Sequence, residues 1–174
     1  MNNIVKSGDS GRTGRTGFAI SLKGRALRLL SGREYSRAEL ERKLVAFEEV
    51  PGELAKALDE LQAKDFINEQ RVVDSVLHRR SAKLGTARIK NELQSKGLGA
   101  DAVLDAVDLL KSTELERARE VWRKKFGKSA EEAPPARTSA AERGKQMRFL
   151  MSRGFGSEVI RRVVSEAGDS SDID

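Results

Sequence analysis

Apolar residues recur three and four positions apart along most of the chain, and no stretch alternates apolar with polar over the length of a strand, so the pattern predicts an all-helical protein. The segment SRAELERKLVAF (36–47) opens with Ser36 and Glu39 at capping-box spacing, and Leu40, Leu44 and Phe47 then share one face. In TARIKNELQSKG (86–97) Thr86 is the candidate N-cap, Ile89 and Leu93 lie on one side, and Gly97 supplies a left-handed stop. A third segment, AERGKQMRFLMSRG (141–154), again ends on a basic residue followed by glycine.

Each of these helices is followed by a short apolar-periodic one. Ten residues beyond Leu44, Leu93 and Leu150 stand Leu54, Val103 and Ile160, and fourteen beyond stand Leu58, Val107 and Val164. The turn between the two helices also repeats, KGLGADAV (96–103) and RGFGSEVI (153–160) keeping physical type at nearly every position. In the first copy FEEVPG replaces that turn, with Pro51 suited to a first helical position. A preceding helix completes each unit: 22–32, 68–85 and 113–127. The last has a Thr113–Glu116 capping-box spacing and a stripe of Leu115, Ala118, Trp122 and Phe126.

The expected organisation is therefore a flexible N-terminal tail (1–20), three-helix units at 21–67, 68–112 and 113–167, the last carrying a flexible loop (127–141), and an acidic tail (168–174). Units too small to bury their apolar faces alone should stack into an elongated, curved array. Composition agrees, because 38% hydrophobic, 34% charged and 5% aromatic residues do not furnish one thick core. The absence of cysteine excludes disulfides and thiolate metal sites. No apolar run approaches the roughly 20 residues of a membrane span, and the N-terminus lacks a secretory apolar block, so a cytoplasmic protein is expected.

Charge sharpens the picture. The net charge is +6, but residues 1–20 contribute +2 and residues 166–174 contribute −4, which leaves +8 on the body between them. Such a body favours polyanions or acidic protein surfaces. The candidate contact residues are Arg33, Arg37, Lys43, Arg79, Arg80, Lys83, Arg88, Lys90, Lys96, Arg148 and Arg153.

Catalytic chemistry has little to stand on. The single histidine, His78, has no partner at metal or catalytic spacing, the N-terminal GDSGRTGRTG lacks the strand and Lys-Ser/Thr of a phosphate cradle, and Tyr35 and Trp122 suit packing better than attack or base stacking. No enzyme, cofactor or metal is expected.

The stretches LLSGREYSRAELERKL (29–44), KLGTARIKNELQSKGL (83–98) and RFLMSRGFGSEVIRRVV (148–164) resemble, in order and spacing, the three repeats of the RecX family of bacterial regulatory proteins. The resemblance spans roughly residues 22–167; Val72-Val73 depart from the Phe-Ala usual after an acidic-Arg stretch. It implies a non-enzymatic modulator that binds the RecA filament on single-stranded DNA, lies in its helical groove, and restrains ATP hydrolysis, strand exchange and coprotease activity; the architecture itself is expected to be monomeric. Direct DNA binding is the competing reading, since three-helix units with a basic second helix resemble helix-turn-helix readers. Against it stand few Asn and Gln on the second helices and a mixed Glu–Lys pattern.

Overall fold

The computed structural model describes residues 20–127 and 139–169. Among them are nine α-helices and no strand: α1 (Leu22–Leu30), α2 (Arg37–Leu44), α3 (Glu53–Ala63), α4 (Glu69–Arg80), α5 (Thr86–Ser95), α6 (Ala100–Ser112), α7 (Glu114–Trp122), α8 (Ala140–Ser152) and α9 (Ser157–Asp169). A 3-10 turn, Val45–Phe47, prolongs α2, and a π-turn, Arg123–Gly127, prolongs α7. The expected flexible tail 1–20, apart from Ile20, and residues 128–138 and 170–174 lie outside the described residues.

Helices pack chiefly within consecutive triplets, α1–α3, α4–α6 and α7–α9, hereafter units 1, 2 and 3. Each triplet encloses its own core. Unit 1 buries Ala26, Leu40, Leu44, Leu54, Leu58, Leu61 and Ile67; unit 2 gathers Val72, Val76, Ile89, Leu93, Val103 and Val107; unit 3 gathers Ala118, Leu150, Phe155, Ile160 and Val164. The nine positions generated by the ten- and fourteen-residue offsets are all buried, none more than 6% exposed. The π-turn swings Phe126 into edge contact with Phe149, ring centroids 5.3 Å apart, while Trp122 Nε1 donates to Gln146 Oε1. Tyr35 packs on the core of unit 1 beneath the Arg33 guanidinium, and His78 is exposed in the last turn of α4.

Leu93 is wholly enclosed, so Leu93→Ala should cost about 2–5 kcal/mol in urea unfolding, through lost transfer energy and the cavity left behind. An unchanged midpoint would remove it from the core.

Several helix starts differ from the sequence expectation. The Ser36–Glu39 capping box is present. Thr86, however, is the first helical residue rather than the cap, and Gly85 takes the cap position. Thr113 makes no capping hydrogen bond; its hydroxyl turns back toward the Leu110 carbonyl and accepts from Arg117 Nε. Pro51 precedes α3, whose cap is Gly52 at φ 91°, and the Glu48 carboxylate accepts from the Gly52 and Leu54 N–H groups. Of the loop expected over 127–141, Gly127 belongs to the π-turn, and Ser139 with Glu142 forms a second capping box that starts α8 at Ala140; residues 128–138 lie outside the described residues.

Candidate functional site

The repeated turn is the device that joins one unit to the next. After α5, Gly97 adopts φ 71° and the turn seats on the first turns of α2. A Cβ on Gly97 would lie 2.6 Å from Ala38 Cβ, Ser36 Oγ donates to the Lys96 carbonyl, and Arg42 Nη2 donates to the Ser95 carbonyl. After α8, Gly154 adopts φ 83° and seats on α5, where its missing Cβ leaves room for Arg88. There the first N–H groups of α5, which have no partner inside their own helix, are satisfied by unit 3. Gly85 N donates to the Arg153 carbonyl, Thr86 N to Glu114 Oε1, and Ala87 N to the Gly154 carbonyl. This explains why Thr86 caps nothing: the next unit already does so.

The two joints differ in chemistry. Between units 1 and 2 a compact ionic cluster forms, Lys96 Nζ lying 2.9 Å and Arg33 Nη2 2.9 Å from Glu39 Oε1. Burial pushes the Glu39 carboxyl up, but hydrogen bonds from Arg33, Lys96 and the Ser36 N–H outweigh it and hold the group at about 2. Between units 2 and 3 the bonds run mainly to backbone. Arg117, half-buried on α7, donates to the carbonyls of Ser81, Leu84 and Leu110 and to Thr86 Oγ1. Desolvation lowers its pKa, with the Glu114 carboxylate opposing. Arg71 on α4 clamps unit 1 in a similar way, through the Asp65 and Phe66 carbonyls and Glu34.

Against this frame the eleven sequence candidates separate. Arg33 and Lys96 belong to the ionic joint, and Lys96 is only 9% exposed. Arg37 is turned inward to Glu41 and Asp59 of its own unit. Arg80, Arg88 and Arg153 come together along a groove of about 670 Å³ at the joint between units 2 and 3, with Leu84, Asn91, Glu92, Ser95 and Ser152 as the remaining lining. Arg80 pairs there with Glu92, Arg88 Nη1 donates to the Ser152 carbonyl, and Arg153 lies 5.0 Å from the centre of the Phe149 ring. Lys83 and Lys90 stand exposed beside that groove in sequence, and Arg79 and Arg148 are exposed on α4 and α8. Lys43 faces a separate cleft in unit 1.

Sequence reasoning missed Arg71 and Arg117, because nothing in a helical pattern marks a charge whose partners are carbonyls of the preceding unit. It also missed Arg25 and Arg28, which share the unit 1 cleft with Lys43. Among the described residues no group of three or more His, Asp or Glu is placed to hold a metal, and no helix is long and apolar enough to cross a membrane. The groove can therefore offer guanidinium groups and amide and hydroxyl side chains to an anionic surface.

Comparison with known proteins decides the family. Residues 23–61 match the model of the first three-helix domain of RecX, and residues 112–164 that of the third. The Regulatory protein RecX of Leptothrix cholodnii is 53% identical over 155 residues, covering 89% of this chain and 94% of the relative. The chain belongs to the RecX family. The RecX of Ralstonia nicotianae is 43% identical over 148 residues, covering 85% of this chain and 89% of its own. The crystal structure of RecX from Lactobacillus salivarius superposes with a TM-score of 0.68 at 21% identity, covering 84% of this chain and 94% of that one, so the tandem three-helix fold is shared by RecX proteins of distant sequence. Membership makes this a regulatory protein, built as a tandem array of RecX three-helix domains.

Proposed function

We propose that the protein binds the RecA filament assembled on single-stranded DNA, lies along its groove, and restrains ATP hydrolysis, strand exchange and coprotease activity. RecX membership supports this reading. The observation that carries it is the pair of docked joints, which hold three units in fixed relation and present the Arg80–Arg88–Arg153 groove on a body of net positive charge. Weak contacts distributed along such a body add to firm attachment when the partner repeats with matching geometry. No deep pocket is needed.

The test is RecA ATPase on single-stranded DNA with increasing amounts of this protein. Wild type should suppress turnover. A single Lys83→Ala should shift the half-inhibitory concentration little, since one exposed charge contributes about 0–1 kcal/mol. Joint reversal of Arg80, Lys83 and Lys90 to Glu should raise that concentration more than roughly tenfold, with circular dichroism confirming the fold. Arg88 and Lys96 are left out of the set, because reversing them would unpick the joints to units 3 and 1. If wild type leaves turnover unchanged yet binds bare DNA tightly and with steep salt dependence, direct DNA binding replaces the filament reading.

A further inference from the structure

Of the eight exposed large hydrophobic side chains among the described residues, Ile20 and Phe47 line one cleft of unit 1, and Val45 and Val50 flank Phe47 in sequence. Isolated exposed apolar residues are ordinary, but a local group marks an interaction surface. The reason for the group is the missing turn. In units 2 and 3 the second helix runs into a glycine turn seated on the unit before; in unit 1, the first of the described units, α2 runs into the exposed Val45–Phe47 turn. A Cβ on the left-handed Gly52 would meet nothing within 4 Å.

Beside this group is a cleft of about 290 Å³. Its floor is apolar, made by Ile20, Leu29, Leu44 and Phe47, and its rim is basic, made by Arg25, Arg28 and Lys43, with no carboxylate in the lining. Arg25 is held in place, its guanidinium 4.1 Å from the centre of the Phe47 ring and its Nε donating to the Ile20 carbonyl. Arg28 and Lys43 have no carboxylate partner among the described residues, although Lys43 Nζ lies 5.9 Å from the centre of the Tyr35 ring; Glu34, Glu39, Glu41 and Glu60 are engaged with Arg71, Lys96, Arg37 and Lys23, and Glu49 and Glu53 line the adjoining cleft on the other side of Ile20 and Phe47.

We infer that this cleft docks a short acidic, amphipathic segment of a partner protein, with one or two large apolar side chains on the Leu29–Leu44–Phe47 floor and flanking carboxylates on Arg28 and Lys43. The basic rim selects an acidic segment over the body of a second copy, which carries +8 and would bring like charge to it, so a second copy could offer such a segment only through its residues 166–174. The inference stands apart from the filament reading, and its test needs no RecA.

The probe is a fluorescein-labelled peptide rich in Asp and Leu, with two controls in which Leu is replaced by Ser or Asp by Lys, read by anisotropy against the full chain. The Asp–Leu peptide should bind saturably and each control roughly tenfold more weakly or worse. Arg28→Glu and Lys43→Glu together, and separately Phe47→Ser, should each weaken binding by roughly tenfold or more while circular dichroism shows the helical fold retained. Equal binding of all three peptides, or no loss in the variants, overturns the proposal. Displacement of the peptide by oligothymidine, lost together with peptide binding in Arg28→Glu, would assign the cleft to nucleic acid instead. A concentration-dependent dimer in sedimentation that Phe47→Ser abolishes would assign it to a second copy.

Discussion

Gly85→Ala is expected to destabilise the protein by about 2–4 kcal/mol, a large loss for one methyl group. Gly85 sits at φ −77°, ψ 168°, backbone that alanine adopts freely, so the substitution carries no conformational penalty. Its Cβ, however, would lie 2.2 Å from the Gly154 carbonyl oxygen and 2.2 Å from the Phe155 nitrogen, both backbone atoms that no rotamer change can move. Unit 3 must back away. With it go the hydrogen bonds from Gly85 N and Ala87 N, 2.9 and 3.2 Å long, and the carboxylate contact to Thr86 N. Gly52→Ala is the matched control: its φ of 91° imposes a left-handed cost of about 1–2 kcal/mol, but the added methyl meets nothing. Urea unfolding of both variants separates the effects. If Gly85→Ala costs no more than Gly52→Ala, the two units are not docked through this turn. At the other joint the side-chain obstacle is removable, so the loss from Gly97→Ala should be partly restored by Ala38→Gly, which takes away the methyl 2.6 Å distant.

Acid should loosen the joint between units 1 and 2 before neutral conditions give any sign of weakness. The Glu39 carboxyl lies at about 2 in the folded chain against an ordinary 4.5, so the unfolded state takes up the proton first. A carboxyl lowered in this way contributes stability fully present above about 4.5 and lost as pH falls through about 2. The shift corresponds to about 3 kcal/mol at about 1.4 kcal/mol per unit. Glu39 is 12% exposed in its side chain, and Lys96 11%, so solvent screens the pair only partly. Stability measured by urea from pH 6 to about pH 2 should fall over that window in wild type. In Glu39→Gln it should start lower and fall less; equal slopes would place the acid-sensitive group elsewhere.

The repeat arithmetic captured the cores because it tests the requirement that units of this size must meet. Leu44, Leu93 and Leu150 with their ten- and fourteen-residue partners are buried since each triplet must enclose a seam. The glycine stops at 97 and 154 were legible for a like reason, left-handed backbone being written into the residue itself. What failed was local chemistry whose partner lies in another unit. Thr86 has the right hydroxyl in the right place, but Arg153, Gly154 and Glu114 arrive from unit 3 to satisfy the N–H groups it would have capped. Lys96 and Arg33 have the look of solvent-facing charges until Glu39 is placed between them, some 57 residues from the lysine. Of the candidate surface, Arg80, Arg88 and Arg153 were legible as basic residues, but not as neighbours, because their meeting depends on how α8 seats on α5.

The joint is also heterologous: a turn on one unit inserts into a different surface on the unit before it. Contacts of that kind, repeated from molecule to molecule without closing, produce open fibres. The receiving half is present at the start of α8, where Ser139 and Glu142 reproduce the Ser36–Glu39 pair that accepts the turn after α5. The inserting half is absent from unit 1, where FEEVPG stands in place of the basic-Gly-hydrophobe-Gly turn. Among the described residues the seated turns therefore run from α5 onto α2 and from α8 onto α5, and residues 47–52 are the one second-helix end that carries no such plug to offer another surface.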